Sequence, residues 1–193
     1  MLKNSCKLAL IFFAFLIINS CVFAQEATPE ATPEAIPEET PKAQSDWLHN
    51  QNHSFWIKEP LGWERAEKGL TGDLAEEFIS PKRDAFIEIY AAKLAGYMSV
   101  EIMANSWEES TRRKLKYLQR RISSEKINVE GANGILRIYQ SDRKGDMLKT
   151  YTLYVYQNGR TFVVVGIFPE KLAVDYEAAV KESMLSFRLA PPS

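Results

Sequence analysis

Arg160-Thr161-Phe162-Val163-Val164-Val165-Gly166-Ile167-Phe168 is the most informative stretch of this chain of 193 residues. In an extended conformation Thr161, Val163, Val165 and Ile167 point to one face, and Phe162, Val164, Gly166 and Phe168 to the other. Both sets are largely apolar, which predicts a strand buried on both sides. Such a sheet needs a cover on each face, and two amphipathic helices can be read elsewhere in the chain. The expected fold class is therefore α+β: a single three-layer α/β/α sandwich. Its central, mainly antiparallel sheet would be flanked by a long middle helix and a C-terminal helix.

Gln157-Asn158-Gly159 joins this strand to a second β-rich run, Met147 to Tyr156. Asn-Gly there marks a tight hairpin, because both central residues need positive φ. Further strands are predicted at about 126–130 and 134–141. Asp142-Arg143-Lys144-Gly145-Asp146 between them and Met147 reads as a turn; it lacks the ligand count of a calcium loop. Ser99 is the expected N-cap of a helix running to about Arg121. Val100, Met103, Trp107, Thr111, Leu115 and Leu118 would form its apolar stripe. A closing helix, about Leu172 to Phe187, places Tyr176, Val180, Met184 and Phe187 on one side. Before the middle helix, Ser54–Lys58, Trp63–Lys68, Ala75–Ser80 and Ala85–Lys93 read as an antiparallel meander.

The N-terminal quarter, residues 1–45, has a different character. Lys3 and Lys7 precede eleven unbroken apolar residues, Leu8 to Ile18. A basic start and a short apolar core make a secretory signal, since crossing a bilayer takes about 20 residues. Two readings of its end stand. Cleavage between Ala24 and Gln25 follows Val22-Phe23-Ala24; alternatively Ile18-Asn19-Ser20-Cys21 resembles a bacterial lipobox, in which Cys21 is lipidated. Both cysteines, Cys6 and Cys21, fall in this leader, so the mature domain has no disulfide or Cys-ligated metal.

Residues 25–45 carry proline at every fourth position, Pro29, Pro33, Pro37 and Pro41, with five acids and one base. This predicts a disordered, acidic linker biased to polyproline II, reaching at most ~65 Å at ~3.1 Å per residue. The expected organisation is a signal peptide over 1–24, the linker over 25–45 and one globular domain over 46–193. The domain, with 21 bases against 20 acids, is balanced in charge, which argues against bulk attraction to nucleic acid.

Two residue groups invite a chemical reading. Arg112, Arg113, Lys114, Lys116, Arg120 and Arg121 put six bases within ten residues on the second half of the predicted middle helix. They suit an anionic partner, either a protein or a charged surface, although cations near a helix C-terminus also complement its dipole. His49 and His53, spaced i, i+4, would need further ligands to hold a metal, and none is evident; no metal and no cofactor are expected. Tyr139, Tyr151, Tyr154 and Tyr156 suit a groove or cross-strand pairs. No G-x-S-x-G, G-x-x-x-x-G-K or H-E-x-x-H occurs, so no catalytic residue is named.

Phe55-Trp56-Ile57-Lys58-Glu59-Pro60-Leu61-Gly62-Trp63 resembles the F-x-I-x-x-P-x-G-W opening of PsbP-like domains. Phe78-Ile79-Ser80-Pro81 and Leu185-Ser186-Phe187 follow in the order of that superfamily, whose members include the extrinsic protein of photosystem II and many bacterial envelope proteins. The resemblance implies an α/β/α fold and a non-catalytic binding or assembly role, and it carries no catalytic residues over. The expected protein is exported, periplasmic or secreted, or a lipoprotein on the membrane if lipidated at Cys21. It would bind or help assemble an envelope partner. A small-ligand or metal-binding module of the periplasm is the alternative, and a hydrolase with dispersed residues a third.

Overall fold

The computed structural model describes residues 47–66, 72–93, 97–114, 119–130 and 132–190. The chain divides between Ser45 and Asp46, and every described residue lies in the second unit. The leader, the Ala24/Gln25 cleavage, Cys21 and the linker thus lie outside the described residues.

Among the described residues the fold is α+β, with two antiparallel sheets and two helices. The larger sheet has seven strands: β3 (Glu64–Arg65), β4 (Leu74–Ile79), β5 (Phe86–Lys93), β6 (Gln119–Val129), β7 (Ala132–Arg143), β8 (Asp146–Gln157) and β9 (Arg160–Pro169). Their spatial order is β3-β4-β5-β9-β8-β7-β6. After β5 the chain crosses the sheet through α1 (Val100–Lys114) to the far edge. It then returns strand by strand until β9 pairs with β5. No helix among the described residues is long and apolar enough to cross a membrane.

β9 is covered on both faces, as its composition requires. Phe162, Val164 and Phe168 join one core with Tyr176, Val180 and Met184 of α2 (Ala173–Leu185). Val163 and Val165 join the other with Val100, Met103 and Ala104 of α1. The β8–β9 hairpin turns on Asn158 and Gly159, at φ 51° and 74°, and the β7–β8 turn on Lys144 and Gly145, where Asp142 Oδ1 accepts from Gly145 N–H at 2.7 Å. Ser99 caps α1, its Oγ accepting from Ile102 N–H at 3.2 Å.

Two expectations are corrected. Ser54–Lys58 is not part of the main meander: β2 (Phe55–Lys58) pairs with β1 (Trp47–Asn50) and β10 (Arg188–Leu189) in a separate three-stranded sheet. Pro60 has no N–H to continue a ladder, and Gly62, at φ 76°, turns the chain away. Phe55 and Ile57 still point into the core beneath α2, where Phe55 meets Phe187 at 5.3 Å between ring centroids. A small second sheet thus packs into the core beneath α2. The middle helix, in turn, ends at Lys114 rather than Arg121, and β6 begins at Gln119, well before Lys126. Ser123 and Ser124 are poor helix formers, and a ladder with β7 along all of β6 outweighs two more helical turns. Leu115 and Leu118 lie outside the described residues.

Candidate functional site: arginines around one buried glutamate

The crossover that carries α1 to the far edge sets the last turns of the helix beside β6 and β7. Glu108 projects from α1 into this angle, its side chain 11% exposed, and three guanidinium groups converge on it. Arg112, one turn further along α1, donates Nη2–H to Oε1 at 2.8 Å. Arg121 of β6 donates from Nη1 to Oε2 at 3.1 Å, and Arg137 of β7 from Nη1 to the same oxygen at 2.8 Å. Tyr139 adds its hydroxyl at 3.0 Å and also meets the Tyr154 hydroxyl at 3.2 Å.

Arg137 is the buried member. It sits in Ile135-Leu136-Arg137-Ile138-Tyr139 on the face covered by α1 and is 4% exposed. Its Nη2–H bonds Asn105 Oδ1 at 2.7 Å, and its guanidinium lies 5.7 Å from the Tyr154 ring centroid. Its Nε is buried without a hydrogen-bond partner among the described residues. Burial pushes the Tyr139 and Tyr154 hydroxyls above their ordinary range, so both stay protonated donors. One carboxylate faces three guanidinium groups, and the node carries a net charge of +2.

The six predicted bases therefore do not share a helix. Arg112, Arg113 and Lys114 end α1, Arg120 and Arg121 open β6, and Lys116 lies outside the described residues. The fold brings Arg112 and Arg121 together on Glu108. Arg113 pairs with Glu109 at 3.5 Å and Arg120 bonds Gln140 at 3.0 Å, both bases facing solvent. Composition did not point to Glu108, Asn105 or Arg137. The available signal was an arginine at an inward-facing position of an apolar strand, where a buried charge requires a partner.

Three other polar groups are closed within themselves. Glu177 of α2 accepts from Lys181 at 2.8 Å, Lys149 at 2.9 Å and the Tyr151 hydroxyl; the lysine bonds, with help from Tyr151, hold its carboxyl down to about 2. Glu76 is clamped by Arg65 through both oxygens, at 2.7 and 2.8 Å, and by Asn50 at 2.6 Å. Glu77 and Glu88 stand directly opposite each other on β4 and β5. Burial raises both carboxyls, although Tyr90 donates to Glu88 at 2.7 Å.

The two histidines are not on a helix. His49 lies in β1, stacked on Trp56 with ring centroids 4.0 Å apart, and His53 lies in the following turn. No group of three metal-ligating side chains forms among the described residues. Both line a cleft of about 510 Å³ with Arg65 and Glu76. A second cleft, about 410 Å³, opens at the start of α1 between Tyr97, Ser99, Asn133 and Tyr156, with the Lys126–Glu101 ion pair on its wall at 3.0 Å.

No family profile matches this sequence, and no curated protein matches it. Its structure is similar to the solution structure of cyanobacterial PsbP (CyanoP) from Synechocystis, with a TM-score of 0.62 at 10% identity over 79% of this chain and 98% of that one. It is also similar to LpqN, involved in cell envelope biogenesis of Mycobacterium tuberculosis, with a TM-score of 0.56 at 11% identity over 75% and 90%. A Bacteroides thetaiotaomicron protein aligns with a TM-score of 0.54 at 11% identity, over 77% of this chain and 49% of that one. At such identities the likeness is one of fold.

Proposed function

We propose that this domain, whose fold is the PsbP-like one, is an exported, non-catalytic accessory module that docks an anionic partner at the cell envelope. The observation that carries the reading is the imbalance at Glu108: three guanidinium groups on one carboxylate, with Arg113, Lys114 and Arg120 exposed nearby. Residual positive charge held by a rigid helix and sheet attracts an anion and orients it. The leader over 1–24 supports export. LpqN, similar in fold, is described as acting in envelope biogenesis.

The surroundings of the Ser80 hydroxyl support a non-catalytic role. Ser80 lies beside Asp84, a pairing that in a cleft would suggest an activated nucleophile. Here Ser80 is wholly buried, and its oxygen is occupied by the N–H groups of Asp84 and Ala85 at 3.2 and 3.0 Å. It shapes a turn. The alternative of a small-ligand module is favoured by the cleft at the start of α1, between helix and sheet.

Photo-crosslinkers placed in living cells at the exposed positions 122 and 123, which leave Arg113 and Arg120 in place, test the docking reading. They are expected to capture an envelope component that a crosslinker at the exposed Val174 does not. The double substitution Arg113→Glu with Arg120→Glu, which leaves every partner of Glu108 in place, should abolish capture without moving the melting temperature. Undiminished capture would reject the basic cluster as the docking surface. Intact mass of the mature chain then assigns the tether: a start at Gln25 in the soluble fraction, or an acylated Cys21 in the membrane fraction.

A further inference from the structure

β6 forms one edge of the seven-stranded sheet, and it is long for an edge. It has 11 residues, against two in β3 at the opposite edge and four and two in β1 and β10 of the small sheet. Among the described residues no strand pairs with its outer side, and residues 120–126 are all exposed. Proteins ordinarily shorten or cover such an edge, because its outward N–H and C=O groups template a further strand.

The side chains say which strand is kept off and which is admitted. Arg121 and Lys126 reach Glu108 and Glu101, both on α1, so both cations stand on the α1 face of the sheet. Glu125 falls on the opposite face by alternation, paired in register with Leu136 of the core beneath α2. A second copy of β6 alongside would set cation against cation on the α1 face, and the bulge between Arg121 and Ser123 further spoils self-pairing. An acidic strand meets the reverse situation: its carboxylates would face Arg121 and Lys126, with Arg112 beside Arg121 on the shared glutamate. The pattern that rejects self-association selects an acidic partner.

We propose that β6 is a docking edge for an extended acidic segment of a partner protein, which adds to the sheet as a further strand with its carboxylates on the α1 face. The inference rests on the anionic-docking reading above and deepens it by naming backbone pairing as the mode.

The test uses the protein as its cells produce it and a labelled peptide of alternating Glu and Val, about twelve residues long to span β6. Extended, it carries all its carboxylates on one face. A comparison peptide, N-methylated at alternate Glu and alternate Val amides, keeps every charge and loses ladder donors from both edges. Fluorescence anisotropy is expected to show binding of the first and at least about tenfold weaker binding of the second. Amides of β6 should gain hydrogen-exchange protection with the first alone. Equal affinity for the two peptides overturns edge pairing and leaves anionic docking standing. Binding of neither, with binding to phosphatidylglycerol vesicles, overturns it in favour of a lipid surface. Binding of neither peptide nor vesicles overturns both readings. Lys126→Gln, at a cation 82% exposed and outside the Glu108 node, should weaken the first peptide about threefold at an unchanged melting temperature; unchanged affinity would remove the charge selection.

Discussion

Glu177 and Glu88 lie against opposite faces of the sheet, and their surroundings shift them in opposite directions. Glu177, bonded by Lys181, Tyr151 and Lys149, is held down to about 2. Its stabilisation is full above the unfolded value of about 4.5 and is lost as pH falls from there toward 2. Glu88 is raised by burial, with Glu77 opposite adding repulsion. The folded state therefore holds its proton more tightly than the unfolded chain, and stability declines as pH rises above about 4.5 through the folded value. Thermal melts from about pH 3 to about pH 8 should separate the two. Glu177→Gln is expected to flatten the acid limb, whereas Glu88→Gln should raise the melting temperature at neutral pH and reduce the decline above 4.5 to the part that burial of Glu77 contributes. A Glu88→Gln protein that melts no higher at neutral pH would mean that the pair is relieved in solution. Alternation put Glu88 on its face of β5, but only the register with β4 set Glu77 against it.

At the scale of elements, the seat of α2 on β9 depends on Gly166. A Cβ there would lie 2.3 Å from Val180 Cγ1 and 3.0 Å from Met184 Sδ. Val180 is wholly buried and β-branched, so it has nowhere to move. Gly166→Ala should cost about 1–3 kcal/mol of stability, read as a lower urea midpoint at unchanged slope. An unchanged midpoint would show that α2 can back away from β9. The β8–β9 hairpin is legible in the amino-acid sequence, because Asn158 and Gly159 specify their turn by local sterics alone. The junction of α1 and β6 is not. A run of arginine and lysine broken by leucines suits both the outer face of a helix and an exposed edge strand, and pairing with β7 makes the choice.

Across the whole molecule, Glu108 ties helix α1 to two strands that the chain reaches later. Arg137→Met would leave Asn105 Oδ1 without its guanidinium donor and remove the buried cation beside Glu108, while Arg112 and Arg121 still neutralise that carboxylate. The expected loss is about 3 kcal/mol, the low end for breaking a buried pair. Arg113→Glu with Arg120→Glu, confined to the surface, should change stability by no more than about 0.5 kcal/mol. Calorimetry of both variants would distinguish a structural tie from a docking surface, and equal losses would contradict that division. What the sequence by itself determined is what neighbours along the chain control: a strand apolar on both faces, a two-residue turn, a capping serine and amphipathic helical stripes. Only the tertiary structure decided that β2 leaves the main sheet, that β6 lies at its edge, and that Arg112, Arg121 and Arg137 meet on one carboxylate. Those outcomes depend on strand order and register between segments as distant in sequence as Trp56 and Arg188, and periodicity within a segment carries no record of which distant strand will lie beside it.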